Sequence, residues 1–186
     1  MKHIVKAPSE IVYIHMGMPS NYREQLIKES YRLKNRSGKE NNNIFTKVFH
    51  ESKTNKVIAS EKVWEESSLY NTLLENILIV IKTLCPPNVE YGLIDTWMGI
   101  YNKDQHAQKH HHDPGYKSFC YYITAEEPYT PMVFDDAGVE VEAITDRLII
   151  FPYNLHHSVP PCNGGERIMI AGNVIPFWDK SELFYI

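Results

Sequence analysis

From Leu93 onward the chain is a succession of short β-type runs broken by Gly, Pro and Asp, with no helical stretch between them. This texture predicts strands over Leu93–Tyr101, Lys117–Thr124, Met132–Phe134, Val139–Ile144, Leu148–Tyr153, His156–Val159 and Arg167–Ile175. A parallel sheet needs a crossover of a dozen or more residues, usually a helix, between successive strands, so an α/β fold is disfavoured. The expected fold class is mostly β, a double-sheeted jelly roll with N-terminal helices packed on one outer face. Asn21 to Arg36 places Tyr22, Leu26, Ile27 and Leu33 near helical spacing, and Ser67 or Ser68 is positioned to cap a second helix ending before Pro86. The polar stretch Asn35 to Asn43 between them reads as a loop.

With 186 residues, 43% of them hydrophobic, the chain can bury one sizeable core and not two. A single domain over 1–186 is expected, with 1–90 as helical support and 91–186 as the β core. The formal charge of −4 comes with no long run of Lys or Arg, so nucleic acid is not expected as a main partner. The start, MKHIVKAPSE, lacks the apolar core of a secretory signal, and the longest apolar stretch, Ile77 to Leu84, is interrupted by Lys82. No membrane association and a cytoplasmic location are expected. Cys85, Cys120 and Cys162 are odd in number and widely spaced, which fits reduced thiols and argues against a disulfide framework or a Cys-x-x-Cys zinc site. Oligomeric state is not legible, although Phe177, Trp178, Leu183, Phe184, Tyr185 and Ile186 can cover a core or face a partner.

Chemistry concentrates in two places. The first is His110-His111-His112-Asp113. On a strand, residues i and i+2 share a face, so His111 and Asp113 can project together while His112 points away. The same alternation allows His110 with His112 as a His-x-His clamp. The carboxylate favours His111 with Asp113, because the oxygenase iron face joins two histidines to one carboxylate and leaves positions open. The second place is His157, followed ten positions later by Arg167. A turn over Pro160 to Gly165 makes a simple hairpin in which the two would lie opposite each other. His156 should point away from His157, and surface or supporting roles are expected for it and for His106.

The run Phe151, Pro152, Leu155, His157, Val159, Pro161, Arg167, Ile168, Ile170 and Asn173 resembles the C-terminal core of iron(II)/2-oxoglutarate-dependent oxygenases, particularly small prolyl-4-hydroxylase-like and phage-type members. The resemblance covers roughly Leu93 to Ile175. It implies a double-stranded β-helix (cupin-like), metal ligation by His111, Asp113 and His157, and a 2-oxoglutarate carboxylate held by Arg167. It also implies dioxygen as co-substrate, possible stimulation by ascorbate, and hydroxylation of a C–H bond in a peptide, a peptidyl proline first, or in a small molecule. Tyr101 and Tyr122 are candidates for cofactor binding, and Trp97 and Tyr121 for the pocket wall. Core packing is the blander role for each of these four aromatics. Two positions depart from the pattern. Met169 stands where Ser or Thr often assists the co-substrate carboxylate, and Asp146-Arg147 stands where Gly commonly precedes the Leu-rich strand.

Two other readings remain. One is a cupin-like metalloenzyme using His110, His112 and His157 without a keto acid; the other is a non-catalytic jelly-roll module that retains a metal or ligand. Substrate choice is expected to lie in Asn35–Asn55 and Glu126–Pro131.

Overall fold

The fold is described from a computed structural model, covering residues 5–6, 10–37, 57–58, 67–112, 115–162 and 165–177. Two antiparallel sheets and two helices make up the described part. The elements in chain order are β1 (Val5–Lys6), β2 (Val12–His15), α1 (Ser20–Ser37), β3 (Val57–Ile58), α2 (Ser68–Lys82), β4 (Glu90–Tyr101) and β5 (Ala107–His110). They continue with β6 (Lys117–Ala125), β7 (Pro131–Phe134), β8 (Val139–Glu142), β9 (Arg147–Pro152), β10 (His157–Val159) and β11 (Arg167–Phe177). The major sheet runs β1-β2-β9-β6-β11-β4-β3 and the minor sheet β5-β10-β7-β8.

Side-chain alternation along the central strands divides the core in two. Phe119, Tyr121 and Ile123 of β6, Leu148 and Ile150 of β9, and Ile168 and Ile170 of β11 face the helices, where Leu26, Leu33, Tyr70, Leu73, Leu74 and Ile77 meet them. The intervening Cys120, Tyr122, Ile149, Phe151, Met169 and Ala171 face the minor sheet and pack on Met132, Phe134, Val141 and Val159. Near-continuous apolar strands are what burial on both faces demands. Every strand expected from Leu93 onward is present within a few residues. The strands β1, β2, β3 and β5 were not expected. β2 extends the major sheet by pairing Val12–His15 with β9, so the first third is not purely helical. α2 begins after Ser67, whose side chain makes no capping hydrogen bond. Asp113, all of the Asn35–Asn55 stretch beyond residue 37, and Trp178 to Ile186 lie outside the described residues. Among the described residues no helix is long and apolar enough to cross a membrane.

The departure at Asp146 has a physical account. Its backbone takes φ 66°, the left-handed conformation that a glycine adopts without strain. An Asp tolerates that region better than most residues. Its carboxylate is almost wholly buried and accepts hydrogen bonds from Gly17 N (2.7 Å), Met18 N (3.1 Å) and the Tyr121 hydroxyl (2.7 Å). One side chain thus ties the segment leading into α1 to β6 and β9. Asp146→Ala is expected to lower stability by about 3 kcal/mol and Asp146→Asn by less, since the amide oxygen retains part of the set. Urea unfolding checks this. Equal losses for the two variants would show that the accepted hydrogen bonds are not what the site supplies.

Candidate metal centre

His157 lies at the start of β10 and pairs with His110 of β5, while Val159 pairs with Ala107. Ser158 on β10 therefore faces both Gln108 and Lys109 on β5, so β5 carries a bulge. Strict alternation counted from the buried Ala107 would turn Lys109 and His111 inward. The bulge shifts the phase by one, so Lys109 is exposed and His110 is buried. Re-aiming a side chain beside a site is a recurrent use of such bulges. His112 follows on the same side, its backbone N–H held by Tyr153 O at 2.8 Å.

The result is a buried cluster of His110, His112 and His157, one ring nitrogen of each lying within 4.8 Å of the others. His112 Nε2 and His157 Nε2 are 3.3 Å apart. Metal–nitrogen bonds of about 2.0–2.1 Å put two ligands at a right or tetrahedral angle about 3 Å apart, so this separation suits a shared ion. The Nδ1 atoms of His110 and His157 lie 2.7 Å from Gln108 O and 2.9 Å from Leu155 O. Donation from Nδ1 to a carbonyl leaves each Nε2 as the unprotonated nitrogen. His112 Nδ1 is buried with no hydrogen-bond partner. The ring of His112 is held by Trp97, centroids 5.3 Å apart, and that of His157 by Phe151 at 4.7 Å.

The expected clamp paired His111 with Asp113, but the histidines turned toward His157 are His110 and His112, and Asp113 lies outside the described residues. His111 is exposed, its ring edge-on to His156 at 4.8 Å, and it is not brought to His157. His156 also points outward, as expected, with Nδ1 2.6 Å from the Asp136 carboxylate. Side chains still alternate along the segment, and the bulge decides which i, i+2 pair faces inward.

Burial keeps the three imidazoles neutral. Desolvation is the leading cause of the lowered pKa of all three, followed for His157 by the charge of His110 and for His112 by that of His157. His157 is pushed down to about 3. In the unfolded chain these groups take up protons near 6.5, so below that pH the unfolded state binds more protons and stability falls with acidity. The metal-free protein is expected to lose about 1 kcal/mol per histidine for each unit between roughly pH 6.5 and the folded-state values. Thermal midpoints across pH 7 to 5 check this, and a flat profile would contradict neutral burial.

Arg167 begins β11, in register with Tyr101 on β4 and Ala125 on β6. It is 4% exposed. Its guanidinium carbon lies 4.3 Å from the Tyr101 ring centroid, and one terminal nitrogen donates to Thr130 O at 3.3 Å. The remaining Nε and Nη2 are buried without partners. The simple hairpin is also corrected: β10 and β11 belong to different sheets, so His157 and Arg167 are not cross-strand partners on one ladder.

A narrow cavity, ≈ 30 Å³ for the centre of a water-sized sphere, is lined by the three histidines together with Trp97, Tyr101, Cys120, Phe151, Met132 and Met169. A ligand larger than an ion and a water must displace side chains, and the two methionines are the most adaptable of these. Of the four aromatics read from sequence, Trp97 and Tyr101 line the cavity. Tyr122 is buried on the same side of the major sheet, its hydroxyl pKa raised first by burial and opposed by Arg167. Tyr121 faces the helices and bonds Asp146, which corrects its expected place in the pocket.

No family model matches the chain. No curated protein matches it either. Solved structures do resemble it in fold, and they are prolyl hydroxylases and 2-oxoglutarate-binding proteins. A prolyl-4-hydroxylase from Pseudomonas putida superposes with a TM-score of 0.67 at 17% identity, over 89% of this chain and 92% of that one. The viral collagen prolyl hydroxylase vCPH of Paramecium bursaria Chlorella virus-1, in complex with 2-oxoglutarate, gives 0.65 at 12% identity over 90% and 96%. HygX from Streptomyces hygroscopicus, with nickel and 2-oxoglutarate bound, gives 0.63 at 12% identity over 91% and 84%. At these identities the likeness is one of fold.

Proposed function

We propose that this chain is an iron(II)- and 2-oxoglutarate-dependent dioxygenase built on a double-stranded β-helix, hydroxylating a C–H bond. The observation that carries the reading is Arg167. A guanidinium buried with two unpartnered nitrogens, stacked on a tyrosine that lines the cavity of the histidine cluster, is costly unless an anion completes it, and its fork matches a carboxylate. Tyr101 supports the same role by bracing the guanidinium with its ring and forming the cavity wall beside it. The donor set fits a first-row metal, for which imidazole is a suitable ligand. His110, His112 and His157 would hold that ion.

Bound iron would supply dioxygen activation coupled to decarboxylation of the keto acid. The chain's own contribution is to fix and shield. Backbone carbonyls at Gln108 and Leu155 hold two imidazoles in the ligating tautomer. Trp97, Phe151 and Phe134 exclude water and pack the rings against rotation. Arg167 orients the co-substrate from its far end.

A peptide is the first substrate class to try, with peptidyl proline leading. One neighbour in fold, a prolyl hydroxylase from Trichoplax adhaerens, was solved with a hypoxia-inducible-factor peptide fragment (TM-score 0.66, 13% identity, 89% of this chain and 84% of that one). The test is succinate formation from 2-oxoglutarate under air with iron(II) and ascorbate, alone and with a panel of proline peptides. Turnover dependent on both iron and 2-oxoglutarate supports the reading. Metal binding without any effect of 2-oxoglutarate favours the cupin-like alternative, which the all-histidine composition of the cluster supports.

A further inference from the structure

The donor set carries a consequence for charge. An oxygenase face of two histidines and a carboxylate hands the metal one negative charge. Here the three clustered donors are neutral imidazoles, and no described residue lining the cavity bears a carboxylate. The charged group stacked on the lining residue Tyr101 is the guanidinium of Arg167, which is positive. A divalent ion entering this apolar enclosure therefore meets no compensating charge among the described lining residues. In a low-dielectric site that deficit weighs more than it would in water.

We infer that His112 is a third neutral metal ligand in the position where a carboxylate would otherwise reduce the site's charge, and that metal and an anionic keto acid consequently bind as a mutually dependent pair. This rests on the proposed function for the identity of the anion. Two further features suit His112 to the role. Its Nε2 converges on that of His157 at 3.3 Å, while its Nδ1 has no acceptor, so no second hydrogen bond strengthens it as a base. Metal held by the histidines alone is then weak, and the dianionic co-substrate, chelating the ion and reaching Arg167, supplies the missing charge. Linkage makes the effect reciprocal: the metal raises affinity for the keto acid by the same factor.

The experiment is anaerobic equilibrium dialysis of iron(II) or cobalt(II), with and without saturating 2-oxoglutarate, on wild type, His112→Asp and Asp113→Asn. Wild type is expected to bind metal roughly 10²-fold more tightly when 2-oxoglutarate is present. His112→Asp should bind metal better alone and show coupling reduced to roughly 10-fold or less. Asp113→Asn should behave as wild type. Equal coupling in wild type and His112→Asp would overturn the charge argument, and a loss of metal binding in Asp113→Asn would show that a carboxylate serves the site after all. Because a buried substitution can impair folding, the wild type is also read directly. Cobalt(II)-loaded protein should show three hyperfine-shifted imidazole N–H resonances, and two would overturn ligation by His112. Failure of the proposed function looks different: metal binds with three imidazole signals, and 2-oxoglutarate changes nothing in any variant. That result removes the coupling as well, but leaves the three-histidine site in place.

Discussion

Arg167→Met should raise the 2-oxoglutarate concentration needed for half-maximal turnover by roughly 10²-fold while leaving metal binding in the absence of keto acid nearly unchanged. Methionine keeps much of the apolar volume beside Tyr101 and removes the two unpartnered donors, so the loss reports carboxylate recognition and not collapse of the strand. Arg167→Lys should recover only part of it. A compact ammonium cannot reproduce the parallel hydrogen bonds of the fork. Because an unpaired buried guanidinium is itself costly, Arg167→Met without ligand is expected to be at least as stable as wild type. Initial rates against 2-oxoglutarate and a urea titration measure both quantities. An unchanged requirement for the keto acid would remove the observation on which the proposed function stands.

His157→Ala should abolish metal binding at micromolar concentrations in the presence of 2-oxoglutarate, and with it all turnover. The imidazole is 3% exposed and sits in contact with Phe134 and Phe151, between the other two clustered histidines. No neighbouring described side chain can replace it, because His156 points outward to Asp136. The variant also removes a group whose neutral burial costs stability in acid, so its unfolding midpoint should depend less on pH below roughly 6.5 than that of wild type. Dialysis against a metal buffer and thermal unfolding at pH 7 and 5 test the two consequences. Retention of tight binding would mean that the cluster is core packing.

What could be read in advance divides along physical lines. The strands from β6 to β11 were legible because two-sided burial demands apolar runs and because Pro, Gly and Asp mark their ends. The strand β2 escaped because Val12–His15 is short and its burial is completed only by pairing with β9, a contact more than 130 residues away in the chain. The site was half legible. His157 and Arg167 stand on strands whose pattern is strong, and both are buried. Which of the three consecutive histidines face inward was not legible, because they offer two phases and the bulge that selects one is a property of the β5–β10 pairing. The spacing from the buried Ala107 could not have revealed it either, since regular alternation from that residue points to His111. Tyr121 illustrates the same limit. Its neighbours Cys120 and Tyr122 face the site, and one position along the strand turns it to the helices and to Asp146.

The most direct test of the metal centre is anaerobic addition of iron(II) and 2-oxoglutarate, following the metal-to-ligand charge-transfer band near roughly 500 nm that chelation at such a site produces. The account predicts the band in wild type and in His111→Ala, and its loss in His110→Ala. A band that survives in His110→Ala and disappears in His111→Ala would contradict it, and would return the clamp to His111 and Asp113.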